Sequence, residues 1–214
     1  MFAIVFDFKT DITLHRFKGK NVNIQKVFRV IKPEIRVLGI DDGTFIPHTE
    51  GTVEVVGVVF RGGCSIDGVM HTRIAIDGLD ATEQLASMIN SSSHRRQLRL
   101  AMLNWITFAG FNVVDIIKLN AATKLPVLVL TRAEPDLDRI HEALRILSHT
   151  EERWRMILAA GEIHEVINKG AKIYMGLAGI ILSDAQKIIK LTSTRSCLPE
   201  PLRVAHLIAS GISS

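Results

Sequence analysis

Between residues 35 and 77 the chain carries three strand-like stretches with no helical period separating them: IRVLGI at 35–40, VEVVGVVFR at 53–61 and VMHTRIAID at 69–77. The first is a short apolar run, the second is rich in β-branched residues, and the third alternates apolar with polar. Asp41-Asp42-Gly43 closes the first, and Gly62-Gly63-Cys64-Ser65-Ile66-Asp67-Gly68 supplies the glycines that a hairpin turn needs at positive φ. Parallel neighbours need a crossover of a dozen or more residues, so these stretches are expected to pair as an antiparallel meander.

The period then changes. Asp80, with Glu83 three residues on, has capping-box spacing and opens a helix with Leu85, Met88 and Ile89 on one face. A strand is expected over 98–107. Asn112, with Asp115 three residues on, predicts a second helix burying Val113, Ile116, Ile117 and Leu119. LPVLVLT at 125–131 has the solid apolar character of a buried parallel strand. Helices are expected over 136–149 and 151–160, with Gly161 as the stop, then a strand over 173–179, a helix capped by Ser183 and running to 191, and a last helix over 202–210 started by Pro201. A meander followed by alternating βα units is the order of the ribonuclease H-like α/β fold, a mixed sheet flanked by helices. An ordinary doubly wound fold requires a helix between the first two strands.

At 214 residues, 47% hydrophobic and 22% charged, the chain has enough core to need neither disulfides nor a structural metal. Its two cysteines, Cys64 and Cys197, make no framework and fit a reducing compartment. The longest uninterrupted apolar run, 173–182, is about half of the roughly 20 residues that a membrane-spanning helix requires. The start, MFAIVFDF, lacks the basic region of a signal peptide, so a cytoplasmic protein is expected. The formal net charge of +4 is unevenly placed: residues 1–33 hold seven Lys/Arg against two acids (+5), and the remainder hold 19 against 20 (−1). The chain is therefore read as a basic N-terminal extension, 1–33, with two strands at 2–8 and 12–17, ahead of one domain at 34–214.

No phosphate-loop or dinucleotide glycine pattern occurs, and no paired Cys or His spacing suggests zinc. Carboxylates at strand ends are more informative. Asp41 and Asp42 follow the first strand, and because successive side chains point to opposite faces only one of them belongs to a given site. Asp77 ends the third strand and Asp80 begins the next helix. At one end of the sheet, two or three such oxygen ligands would hold magnesium, and a metal pair would serve phosphodiester hydrolysis. Asp80 as a helix cap and Asp77 as a turn former are the structural alternatives.

Several blocks, in order, carry a resemblance to a known family: KPEIRVLGIDDG at 32–43, VVGVVFRGG at 55–63, IDGLDATE at 76–83, TFAGFNVVD at 107–115 and LPEPLRVAHLIA at 198–209. The chain resembles the archaeal endonuclease dU family, which is similar to endonuclease V and shares the ribonuclease H-like fold. The resemblance covers about 32–210 and leaves out the basic extension. It implies magnesium- or manganese-dependent cleavage of nucleic acid carrying a deaminated base, here deoxyuridine in DNA. Asp41, in Gly39-Ile40-Asp41, matches the first metal aspartate; Asp80 and Asp77 fall in the region of the second carboxylate; Arg132 corresponds to a lysine ending the fifth strand; and Arg203 lies in the block before the final helix. Arg95 and Arg96, with Arg99, are further candidates for phosphate contact.

One departure from the family pattern matters most. The fourth strand is expected to end in Asp-Gly, the aspartate being a third metal ligand, whereas this chain has Asn104-Trp105. An amide oxygen can ligate magnesium but brings no charge. Trp105 either stacks on an extruded base, as aromatics do in base-flipping enzymes, or packs under the loop that follows. Three readings result: a metal-dependent endonuclease in DNA repair, a nucleic-acid-binding homologue weakened at Asn104, and an oligomeric scaffold, such as a homodimer, joined by the N-terminal strands.

Overall fold

The computed structural model describes residues 27–213, so the strands expected at 2–8 and 12–17 lie outside the described range. β1 (Arg36–Asp42), β2 (Thr52–Arg61) and β3 (Ser65–Ala75) form the expected antiparallel meander, with a register shift between Val59 and Phe60. α1 (Ala81–Ser91) crosses to β4 (Leu100–Asn104), which lies parallel to β1. A short hairpin, β5 (Thr107–Phe108) and β6 (Asn112–Val113), precedes α2 (Ile116–Thr123) and β7 (Val127–Thr131), which is parallel to β4. α3 (Leu137–Leu144) and α4 (Thr150–Ala159) lead to the antiparallel pair β8 (His164–Asn168) and β9 (Ala171–Ala178), then to α5 (Leu182–Thr192) and α6 (Glu200–Ile212). The seven-stranded sheet runs β3-β2-β1-β4-β7-β9-β8, with β1 in its interior and beside β4, the ribonuclease H-like order read from the sequence.

Helices cover both faces, which is why β1, β4 and β7 are apolar almost throughout. Leu38, Ile40 and Leu103 pack towards α1 and α2. Val37, Leu100, Met102, Leu128 and Leu130 pack towards α5 and α6. The period of two therefore settles where each strand-end side chain goes. Gly39 faces α6, and a Cβ there would stand 2.2 Å from the carbonyl carbon of Pro201. Backbone cannot yield as a flexible side chain does, so Gly39→Ala is expected to push α6 off the sheet and lower stability by about 3 kcal/mol in a urea titration.

The structure corrects several expected boundaries. The strand expected over 98–107 ends at Asn104, because Trp105 takes φ +86 and turns the chain out of the sheet. The helix expected from Asn112 begins at Ile116. Its cap is Asp115, which accepts from the amides of Ile117 and Lys118. Asn112 is fully buried in the β5–β6 hairpin instead. Asp80 precedes α1 but caps nothing: its carboxylate accepts from Ala75 N at 3.2 Å and from Asn112 Nδ2 at 2.6 Å. Ser183 lies inside the first turn of α5, which starts at Leu182, and the helix expected to reach 149 stops at Leu144. β8 was not expected: as an edge strand with only Val166 and Asn168 buried, it lacks a sustained apolar period. Among the described residues, Cys64 and Cys197 are free and no helix is long and apolar enough to cross a membrane.

Candidate active site

Asp41, the penultimate residue of β1, lies on the α6 face and is 2% exposed. Asn104 ends the neighbouring β4 on the same face, two residues beyond Met102, and its Nδ2 donates to Asp41 Oδ2 at 2.9 Å. From above, His206 of α6 brings Nδ1 to the same oxygen at 2.9 Å, while Asp41 Oδ1 accepts from Asp42 N at 3.1 Å. The close seating of α6 on Gly39 is what delivers His206 here. Burial, and then the charge of Asp42, push the Asp41 carboxyl up to about 7; the Asn104 and His206 contacts pull the other way. Asp42 is also raised, chiefly by burial.

Next to this triad opens a cavity of about 400 Å³ lined by Asn104, Thr131, Arg132, Leu202, Arg203 and His206. Arg132 follows the end of β7. Arg203 is held by the buried Glu200, which accepts from its Nε at 2.9 Å and Nη2 at 2.6 Å. Asp41, Asn104, Arg132 and Arg203, predicted from scattered blocks, thus meet at one end of the parallel strands. His206 belongs with them and was not singled out from the sequence. Its signal was faint: it sits three residues after Arg203, on one face of the last helix.

Asp42 points to the opposite face, where the amide of Ala109 donates to its Oδ2 at 2.6 Å. The carbonyl of the same Ala109 accepts from Asp77 N at 2.9 Å. Asp77 sits at φ +48; its Oδ1 accepts from Phe111 N at 2.8 Å and its Oδ2 contacts His48 Nδ1 at 2.9 Å. Gly110, at φ +87, permits this turn, since a Cβ there would stand 2.2 Å from Asp77 Oδ1. The structure therefore joins Asp41 to Asn104 and His206, and gives Asp77 and Asp80 other partners. Among the described residues no group of three or more His, Cys, Asp or Glu converges as a metal cluster.

Trp105 packs against the core on the α1–α4 face and lines a small apolar cavity with Ile106, Val129, Leu137 and Tyr174, not the cavity beside Asn104. Arg95 and Arg96 precede β4 and so lie at the end of the sheet opposite Asp41. Arg95 is bonded to Asn90 Oδ1 and to the carbonyl of Thr123.

A mixed seven-strand sheet with β1 beside β4 and helices on both faces is a ribonuclease H-like fold of the endonuclease V kind. Endonuclease V of Bacillus subtilis has this fold, with a TM-score of 0.59 at 12% identity over 89% of this chain and 86% of its own. The chain belongs to the endonuclease dU family, whose model matches residues 33–213. A UPF0215 protein of Methanothermobacter thermautotrophicus is 51% identical over 187 residues, 87% of this chain and 91% of the relative. A crystal structure of a protein of unknown function from Archaeoglobus fulgidus is similar with a TM-score of 0.75 and 41% identity, over 83% of this chain and 97% of that one.

Proposed function

We propose that the chain is a divalent-cation-dependent endonuclease that hydrolyses a DNA phosphodiester near a deaminated base, deoxyuridine in the first instance, as a step of DNA repair. The observation that carries this reading is the buried Asp41 carboxylate near the end of β1, hydrogen-bonded by Asn104 and His206 beside a cavity that offers Arg132 and Arg203. The family description, and an endonuclease V of Ciona intestinalis solved with a 24mer DNA containing an inosine, support nucleic acid as the substrate.

The donor chemistry suits one Mg2+ or Mn2+. Asp41 supplies anionic oxygen and Asn104 an amide oxygen, and magnesium commonly completes its shell with waters and substrate phosphate. When bound, the ion supplies Lewis acidity and a more acidic water. Arg132 and Arg203 hold the phosphate, the latter aimed by its pair with Glu200. With Nδ1 on Asp41, His206 keeps Nε2 for a proton taken from the attacking water or given to the departing oxygen. Duplexes with and without one deoxyuridine, incubated with Mg2+, test the reading. The uracil strand is expected to be cut, and Asp41→Ala to slow cutting at least about a hundredfold, near the scale of losing one electrostatic catalytic group. No cutting by the wild type, or equal cutting by Asp41→Ala, overturns it.

A second reading, nucleic-acid binding without turnover, is favoured by one observation: where the resemblance implies an aspartate, the amide of Asn104 hydrogen-bonds Asp41, followed by a tryptophan at φ +86, where glycine is at ease. Asn104→Asp is expected under both readings to tighten Mg2+ binding in calorimetry, and only under the second to create cleavage where the wild type shows none.

A further inference from the structure

A second concave site, not used by the chemistry above, lies at the other end of the parallel strands. A cavity of about 380 Å³ opens between the start of β1 and the loop that enters β4. Its wall is apolar at Phe28 and Ile35. Its charged lining is Lys32, Arg36, Arg96 and Arg99 against the single acid Glu34. Arg36 already has a partner, Asp67, at 2.7 Å. The Arg99 guanidinium, among the described residues, donates only to the carbonyls of Arg96 and Leu98. Lys32 and Arg96 are exposed, and among the described residues neither has an ion-pair partner.

The site is built before any ligand arrives. Arg99 N donates to Arg36 O at 3.0 Å, fixing the loop to β1, and within the loop Gln97 N and Leu98 N both donate to His94 O. Phe28 is anchored through its amide to the buried Asp184 at 2.8 Å. Lys32, Arg96 and Arg99 beside an apolar wall suit an anion that also carries apolar surface, and guanidinium groups favour the geometry of phosphate oxygens over a spherical anion. We propose that this cavity binds the phosphate groups of a nucleotide unit, either part of a nucleic-acid strand or free. From Leu100 to Asn104 is about 13 Å at roughly 3.3 Å per strand residue, so this site and the Asp41 cavity are too far apart to share one phosphate. The site rests on its own geometry and not on turnover at Asp41.

Binding is measured in EDTA, so that neither metal nor cleavage enters. The probes are a fluorescein-labelled 20-base-pair duplex, followed by anisotropy across a salt series, and deoxyadenosine monophosphate, followed by calorimetry. The Lys32→Glu/Arg96→Glu variant is expected to bind at least one probe about tenfold more weakly. If the duplex is affected, the slope of log K against log[salt] falls by about 2 for two lost phosphate contacts. Loss confined to the duplex identifies a strand of nucleic acid; loss confined to the monophosphate identifies a free nucleotide. Lys32→Arg/Arg96→Lys should retain binding. Unchanged affinity of the glutamate variant for both probes, no binding of either probe by the wild type, or an equal loss in the control Arg145→Glu/Lys190→Glu would overturn the proposal. A wild type that binds here but cuts no uracil-containing duplex would overturn the nuclease reading alone.

Discussion

Arg153→Leu is expected to destabilise the protein by about 4 kcal/mol, in the range that marks the breaking of a buried network. Arg153 is 1% exposed on α4, and its guanidinium ends among carbonyls rather than carboxylates. Nε donates to Ser148 O at 3.0 Å, Nη1 to Gly78 O at 2.7 Å and to Phe111 O, and Nη2 to Asp77 O at 2.6 Å. Burial pulls its pKa down, with the charge of Asp77 opposing, but an arginine remains charged. Leucine leaves several buried carbonyls without donors, each costing about 1–3 kcal/mol, partly recovered as the loop relaxes towards water. Arg153→Lys is expected to recover little, because one ammonium cannot span the fan of acceptors that the planar fork reaches. Urea denaturation followed by circular dichroism measures the change, and a loss under 1 kcal/mol would show that the loop holds itself. The residue ties the Asp77-Gly78 turn to the loop that carries Ala109, which in turn donates to Asp42. Its loss should therefore loosen the floor beneath the Asp41 site.

Arg153 also shows why part of the site could not be read from the sequence. In TEERWRMILA it sits among charged neighbours and looks like one more solvated position, and only the packing of α4 over the β5–β6 hairpin encloses it. His206 was hidden for a related reason: its partner Asp41 is 165 positions away, and no local pattern encodes that meeting. What was legible depends on short-range physics. The meander announces itself through β-branched runs and glycine-rich turns, the parallel strands through unbroken apolar character, and Asp41 through its place immediately after such a strand. Cap chemistry was legible only where the side chain stayed local. Asp136 caps α3 where that helix is expected to begin, whereas Asp80 and Asn112, expected to open α1 and α2, bind each other and the end of β3. For Trp105 the sequence leaves base stacking and packing under the following loop both open; its positive φ breaks the alternation and sends the indole to the α1–α4 layer, where it packs against the core.

Asp41→Asn is expected to make the metal-free protein more stable than wild type above neutral pH, and equal to it near pH 4. Burial, followed by the charge of Asp42, raises the Asp41 carboxyl from 3.8 to about 7. A group whose folded value lies above its unfolded value contributes stability that is complete below the unfolded value and is lost as pH rises through the folded one. Between about pH 4 and pH 8 the wild type should therefore lose up to about 4 kcal/mol through this one group, at about 1.36 kcal/mol per pKa unit. Asparagine keeps the volume and retains an oxygen to accept from Asn104 and His206, while its amide cannot ionise. Thermal melts of both proteins in EDTA from pH 4 to 8 should start together and diverge upwards through neutrality, the variant melting higher; parallel curves would show that the buried carboxylate is already compensated. Mg2+ should then raise the melting temperature of the wild type at pH 8 and leave Asp41→Asn where it was, because binding to the native state alone stabilises by mass action. The buried charge that weakens the free protein at pH 8 is the same charge that attracts the cation, so stability without the metal and affinity for it are opposed at one oxygen pair.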